Sequence, residues 1–136
     1  MFSHVTVGSN DMPRSRRFYD AVLGTLGYER LADHGDEALG YGLKRRDLER
    51  FPFWVLKPYD RGRATSGNGW HVAFLAPDRA AVDAFHAAAL ANGGSDEGAP
   101  GVRADYHPNY YAAYVRDPDG NKLQAVCHDP VQPTES

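Results

Sequence analysis

His4–Glu29, HVTVGSNDMPRSRRFYDAVLGTLGYE, and His71–Asp96, HVAFLAPDRAAVDAFHAAALANGGSD, decide the fold, because they are one element written twice. The second stretch follows the first by 67 positions without a gap. His4 meets His71, Val5 meets Val72, Asp11 meets Asp78, Phe18 meets Phe85, Ala21 meets Ala88, Leu23 meets Leu90 and Gly27 meets Gly94. These identities are few, but strand, helix start, apolar stripe and stop signal all stay in phase. The repeating unit is therefore a supersecondary module.

In the first copy Val5 and Val7 alternate with His4 and Thr6, the periodicity of a strand with two unlike faces. SNDMP then supplies small polar oxygens for the free N–H groups of a first helical turn, with Pro13 near its start. Phe18, Val22, Leu23 and Leu26 recur at helical spacing, and Gly27 is placed to stop the helix. In the second copy Asp78 is the expected N-cap, Val82, Phe85, Ala89 and Leu90 the stripe, and Asn92-Gly93-Gly94 the stop.

Three strand-like segments follow each helix, near 28–34, 37–44 and 51–57, and again near 95–104, 110–116 and 122–128. The chain thus reads as an α+β fold of two βαβββ modules forming curved mixed sheets with helices on the outer face. It is expected to be a single domain over 1–129, with module one at 2–58, a Gly-rich and polar linker at 59–68 and module two at 69–128. The proline-rich residues 130–136 are expected to form a flexible tail, and RDLERF (46–51) a solvated loop.

Helix packing requires an apolar sheet face. In the first strand that face is Val5 and Val7, so His4 points to the concave side. In the fifth strand Trp70, Val72 and Phe74 are expected under the helix, which sends His71 into the same cup. In the last strand Leu123, Ala125 and Cys127 alternate with Gln124, Val126 and His128, and Gln124 then faces the histidines. A lone strand histidine is ordinarily structural or exposed. Two at equivalent repeat positions suggest a metal pair, since neutral imidazole is the commonest protein ligand for divalent metals.

At 136 residues the chain is long enough to bury a core without disulfides, and its 42% hydrophobic and 24% charged shares are those of a globular protein. Its formal charge of −3 does not support nucleic-acid binding, and no apolar run is long enough to span a membrane. The single cysteine, Cys127, excludes an intrachain disulfide and reads as a packing residue in a cytoplasmic protein. Tyr106, Tyr110, Tyr111 and Tyr114 cluster in YHPNYYAAY, with Tyr110 and Tyr114 on one strand face and Tyr111 on the other. They read either as core packing or as a pocket wall whose phenols hydrogen-bond a substrate. His107 beside them is a candidate either for the general base or for a residue that supports the site from behind. Arg103 is either an exposed arginine or the partner of an anionic substrate.

The segments HVTVGSNDMPRSRRFYDAVLGTLGY, GWHVAF and YVRDPDGNKLQAV together resemble the vicinal oxygen chelate superfamily. That group includes glyoxalase I, fosfomycin-resistance thiol transferases, bleomycin-resistance proteins and extradiol dioxygenases. The resemblance spans residues 2–128 and is specific for the fold rather than for one activity. It implies paired concave sheets around one metal centre, with ligands from the first, fourth, fifth and eighth strands. His4 and His71 take the first- and fifth-strand positions. The eighth-strand position, usually the Glu that closes DPDGNxxE, is Gln124, a weaker donor than carboxylate. The fourth-strand position, a carboxylate in glyoxalase I, falls in FPFWVL (51–56), which has no acid.

The resemblance implies a homodimer holding a divalent metal (Zn, Ni, Fe or Mn) in His4, His71 and Gln124, and acting on a small oxygenated molecule. His107, Tyr110 and Tyr114 are the expected catalytic groups, and Trp54, Arg103, Tyr110 and Tyr114 the expected substrate contacts. The missing carboxylates leave a second reading open, a metal-free protein that sequesters a small molecule in the manner of bleomycin-resistance proteins.

Overall fold

The computed structural model describes residues 2–43 and 52–131. RDLERF (46–51) and residues 132–136 of the tail lie outside the described residues. The elements run β1 (Val5–Gly8), α1 (Met12–Gly24), β2 (Glu29–Asp33), β3 (Ala38–Gly42) and β4 (Phe53–Leu56), then β5 (Val72–Leu75), α2 (Arg79–Ala91), β6 (Ser95–Val102), β7 (Tyr111–Arg116) and β8 (Lys122–Cys127). This is βαβββ twice, as the repeat requires. The sheets are ordered β1-β4-β3-β2 and β5-β8-β7-β6, with the first pair of each parallel and the rest antiparallel. β1 and β5 each form an edge of their own sheet.

Local chemistry sets the helix limits. Asp11 caps α1 by accepting the Arg14 N–H at 3.0 Å, and Asp78 caps α2 by accepting the Ala81 N–H at 2.8 Å. Gly27 turns out of α1 at φ +86°, while the Tyr28 N–H returns to the Leu23 carbonyl. One apolar cluster joins both modules: Phe18, Tyr19, Val22 and Leu23 of α1, Val82 and Phe85 of α2, and Phe53 of β4, which meets Phe74 of β5 edge-on. Each of these buried aromatic or branched side chains contributes about 1.5–3 kcal/mol by leaving water.

Two expected core residues are corrected. Leu90 is 46% exposed, because the buried face of α2 runs through Val82, Phe85 and Ala89, and Leu90 sits one residue around the helix from Ala89. Trp70 precedes β5 instead of packing under a helix; its indole lies against Gly67 of the linker. Leu123, Ala125 and Cys127 of β8 do join the core, as their strand phase requires.

The DPDGN turn clasps the modules together. Asp119 accepts from Arg14 Nη2 at 2.7 Å, the Asn10 N–H at 3.0 Å and Ser15 Oγ at 3.3 Å, so module two's turn holds the β1–α1 connection of module one. Asp117 accepts from the Tyr19 hydroxyl and from both nitrogens of Asn121, whose Nδ2 also donates to the Gly8 carbonyl. This buried polar set has its donors and acceptors matched across the interface.

Candidate functional site

Strand register places the two modules' concave faces on the same grid. Across module two the row is Ala73, Gln124, Tyr114 and Gly98, on β5, β8, β7 and β6. Across module one it is Thr6, Trp54, Gly40 and Ala32, on β1, β4, β3 and β2. Thr6 and Ala73 are repeat partners, so Trp54 occupies the place of Gln124, and Gly40 the place of Tyr114. His4 and His71 stand one same-face step before these rows.

On module two, His71 and Gln124 meet. His71 Nε2 lies 3.0 Å from Gln124 Oε1, and Gln124 Nε2 donates to the Tyr110 hydroxyl at 2.6 Å. Since an amide oxygen only accepts, His71 carries its proton on Nε2 here. Gln124 is 1% exposed, so both ends of a buried carboxamide are satisfied. Tyr114 sets its ring edge-on to His71, 5.8 Å between centroids. Burial first, and then the neighbouring Tyr110, push the Tyr114 phenol up to about 12, which keeps it a hydrogen-bond donor at neutral pH. Tyr111 points the other way, to Asp83 on α2, as alternation demands.

His107 stands at the end of this chain of rings. Its Nδ1 accepts the Asn109 N–H at 3.1 Å, so its Nε2–H faces His128 Nδ1 at 2.9 Å. Both nitrogens are occupied, and the imidazole touches Tyr110 only edge-on. In this arrangement His107 supports Tyr110 and does not reach His71. Arg103 is partly buried at the mouth of a cleft of about 350 Å³, with His71, Tyr106, Tyr114 and Lys122 on its walls. Strand phase offered a signal for Lys122, which precedes Gln124 by two residues and shares its face.

Module one presents a different surface. The Trp54 indole lies across Gly40, where a Cβ would come within 2.9 Å of the ring, and stacks on His34 with 15° between planes. Trp54 is thus part of module one's concave wall and not of the cleft beside His71. His4 is exposed, with Ser3 Oγ 2.9 Å from its Nδ1. Among the described residues no hydrogen bond joins His4 to His71 or Gln124, and no group of three His, Cys, Asp or Glu side chains stands ready for a metal.

The module-two pair nonetheless fits a metal. The fit lies in the chemistry of the donors: the 3.0 Å between Nε2 and Oε1 is that of their hydrogen bond, and Nε2 becomes a ligand once it gives up its proton. An imidazole and a carboxamide oxygen suit zinc, nickel, iron or manganese.

Two βαβββ modules, with a histidine–glutamine pair on the concave face of the second, define a paired-module protein of glyoxalase type. The chain matches the Glyoxalase/Bleomycin resistance protein/Dioxygenase superfamily over residues 1–125 and belongs to it. A solved glyoxalase/bleomycin resistance protein from Albidiferax ferrireducens T118 is 42% identical, with 96% of this chain and 99% of that one covered at a TM-score of 0.80. A glyoxalase-related enzyme from Fulvimarina pelagi is 22% identical over 100% of this chain and 93% of its own, TM-score 0.70. Lactoylglutathione lyase from Agrobacterium tumefaciens is 20% identical over 93% and 92%, TM-score 0.62; these last two likenesses show the fold alone. No curated protein matches the chain. Among the described residues no helix is long and apolar enough to cross a membrane.

Proposed function

We propose that this protein is a metal-dependent, glyoxalase-like enzyme of the cytoplasm that acts on a small oxygenated molecule as a homodimer. The observation that carries the reading is the His71–Gln124 pair on module two's concave face, with its tie to Tyr110. His71 and Gln124 supply two ligands. His4, apart from them in its own chain, supplies the third to the partner's pair when module one of one chain faces module two of the other. The free edges of β1 and β5 suit that pairing. A divalent metal held there would supply Lewis-acid polarisation of the substrate oxygens. Gln124 holds the Tyr110 oxygen as an acceptor, and the Tyr110 and Tyr114 hydroxyls are hydrogen-bonded to each other, so the two phenols together offer one free O–H to the substrate. Neither row contains a carboxylate, so the reaction relies on these phenols for proton handling.

Trp54 in the fourth-strand position favours a second reading, a binding protein with an aromatic wall and no metal. Metal analysis of protein purified without chelator separates the two. Wild type should carry zinc, nickel, iron or manganese, and His4→Ala and His71→Ala should each lose it. Mixing the two variants should restore one of the dimer's two sites, since one site then holds both substitutions and the other neither. No metal in wild type would leave the binding-protein reading; metal retained in the double variant would place it elsewhere.

A further inference from the structure

Two cations flank Tyr114 at the cleft beside His71, and neither has a carboxylate partner among the described residues. The Arg103 guanidinium lies 5.8 Å from the Tyr114 ring centroid and Lys122 Nζ lies 5.3 Å from it. These distances are near the outer limit of about 6 Å for cation–π attraction, so the ring alone does not account for two charges. Arg103 is held in place instead by the end of β6, the strand just before it. Its Nη1 donates to the Gly101 carbonyl at 3.0 Å and its Nη2 to the Ala99 carbonyl at 2.7 Å. Such bonds use two of five N–H donors, orient the fork and leave its charge whole. A Cβ at Gly98 would come 3.3 Å from Nη2 and 3.2 Å from the Tyr114 ring, so the small residue in β6 makes this resting place.

The one acid on the cleft wall, Glu97, is already answered by Arg116 at 2.6 Å. In a chain of net charge −3, the cleft therefore concentrates two uncompensated positive charges beside the candidate metal ligand. Its volume of about 350 Å³ is that of a small-molecule pocket.

We propose that the substrate carries an oxyanion, a carboxylate or a phosphoryl or phosphonyl group, which Arg103 and Lys122 bind while its neighbouring oxygens face His71. This deepens the reading above and rests on the same cleft being the binding site. Arg103 gives the anion a planar fork, and Lys122 a mobile point charge from the opposite strand.

Titrate the protein with inorganic phosphate and, separately, with acetate, following backbone amide signals by NMR. Metal is removed beforehand on a solid chelating resin, because a dissolved carboxylate chelator would itself compete for the cleft. At least one anion should shift the Gly98, Gly101, Arg103 and Tyr114 amides saturably, and the tighter of the two identifies the class of oxyanion. Arg103→Gln with Lys122→Gln should weaken that binding at least about tenfold. Lys122→Gln alone, at a partly exposed position, should weaken it about threefold with the folded spectrum unchanged. It decides the matter if the double variant loses its fold. No saturable response to either anion, or equal affinity in the variants, overturns the proposal. Because metal is absent throughout, that failure would leave the metal reading intact, and a failure of metal binding would leave this one intact.

Discussion

The two concave faces share a backbone grid and almost nothing else. Module two carries Gln124 and Tyr114 side by side, polar groups joined to His71 and Tyr110; module one carries Trp54 over Gly40 at the same two positions. One face offers donors and charge, the other a flat aromatic surface with two exposed histidines, His4 and His34. The scaffold occurs twice, with different side chains on its two concave faces. Under the proposed function, module two would hold ligands and substrate, while module one would supply His4 and a wall. A site assembled from both faces needs one copy of each, and the repeated histidine is the part that both kept.

The comparison can be broken most forcefully at the clasp between the modules. Asp119→Ala removes a side chain that is 2% exposed and strands three donors from module one. The loss should be roughly 3 kcal/mol in a urea-unfolding experiment. A loss within about 0.5 kcal/mol would mean that the apolar cluster alone joins the modules.

A smaller effect sharpens the contrast between the rows. Gly40→Ala puts a methyl group 2.9 Å from the Trp54 ring and should cost about 1–3 kcal/mol, with the indole displaced from His34. Gly98→Ala meets Tyr114 at 3.2 Å and should cost less, while disturbing Arg103. Thermal unfolding of both variants, with tryptophan fluorescence of the first, checks the order. The reverse ranking would show that module one's wall is the more adaptable face.

The smallest effect is a slope with pH. Burial pushes the Asp117 carboxyl up, against hydrogen bonds from Tyr19 and Asn121 that pull it down. An acid whose folded pKa exceeds its unfolded one binds a proton on folding. Its contribution is therefore most favourable at low pH and declines as pH rises from about 4 through the raised value. The stability advantage of wild type over Asp117→Asn should shrink across that window. An advantage that grows with pH would mean that the hydrogen bonds outweigh burial.

Much of this was legible from local rules. SNDMP and Asp78 announced both helices, and period-two alternation put Gln124 with His71, because a strand's phase fixes its faces wherever one face is buried. Leu90 was misplaced because an apolar residue at a helix boundary fits the stripe pattern as well as a true core position does. The clasp was not legible: Asp119 and Arg14 are separated by 105 residues, and a DPDG turn has the same local signature whether or not its carboxylates find distant partners. Arg103 was readable as a candidate partner for an anionic substrate, but its resting place was not, since that depends on glycines that a periodicity reading passes over.

The central claim is that Gln124 is a metal-facing group of module two. Gln124→Glu replaces a carboxamide with a carboxylate of nearly equal volume, 3.0 Å from His71 Nε2. The added charge and the harder oxygen both favour a dication. Calorimetric titration with Zn²⁺ or Ni²⁺ should show affinity raised at least about tenfold over wild type, roughly 1.4 kcal/mol. Equal affinities, or tighter binding by wild type, would contradict the claim and with it the two-histidine site.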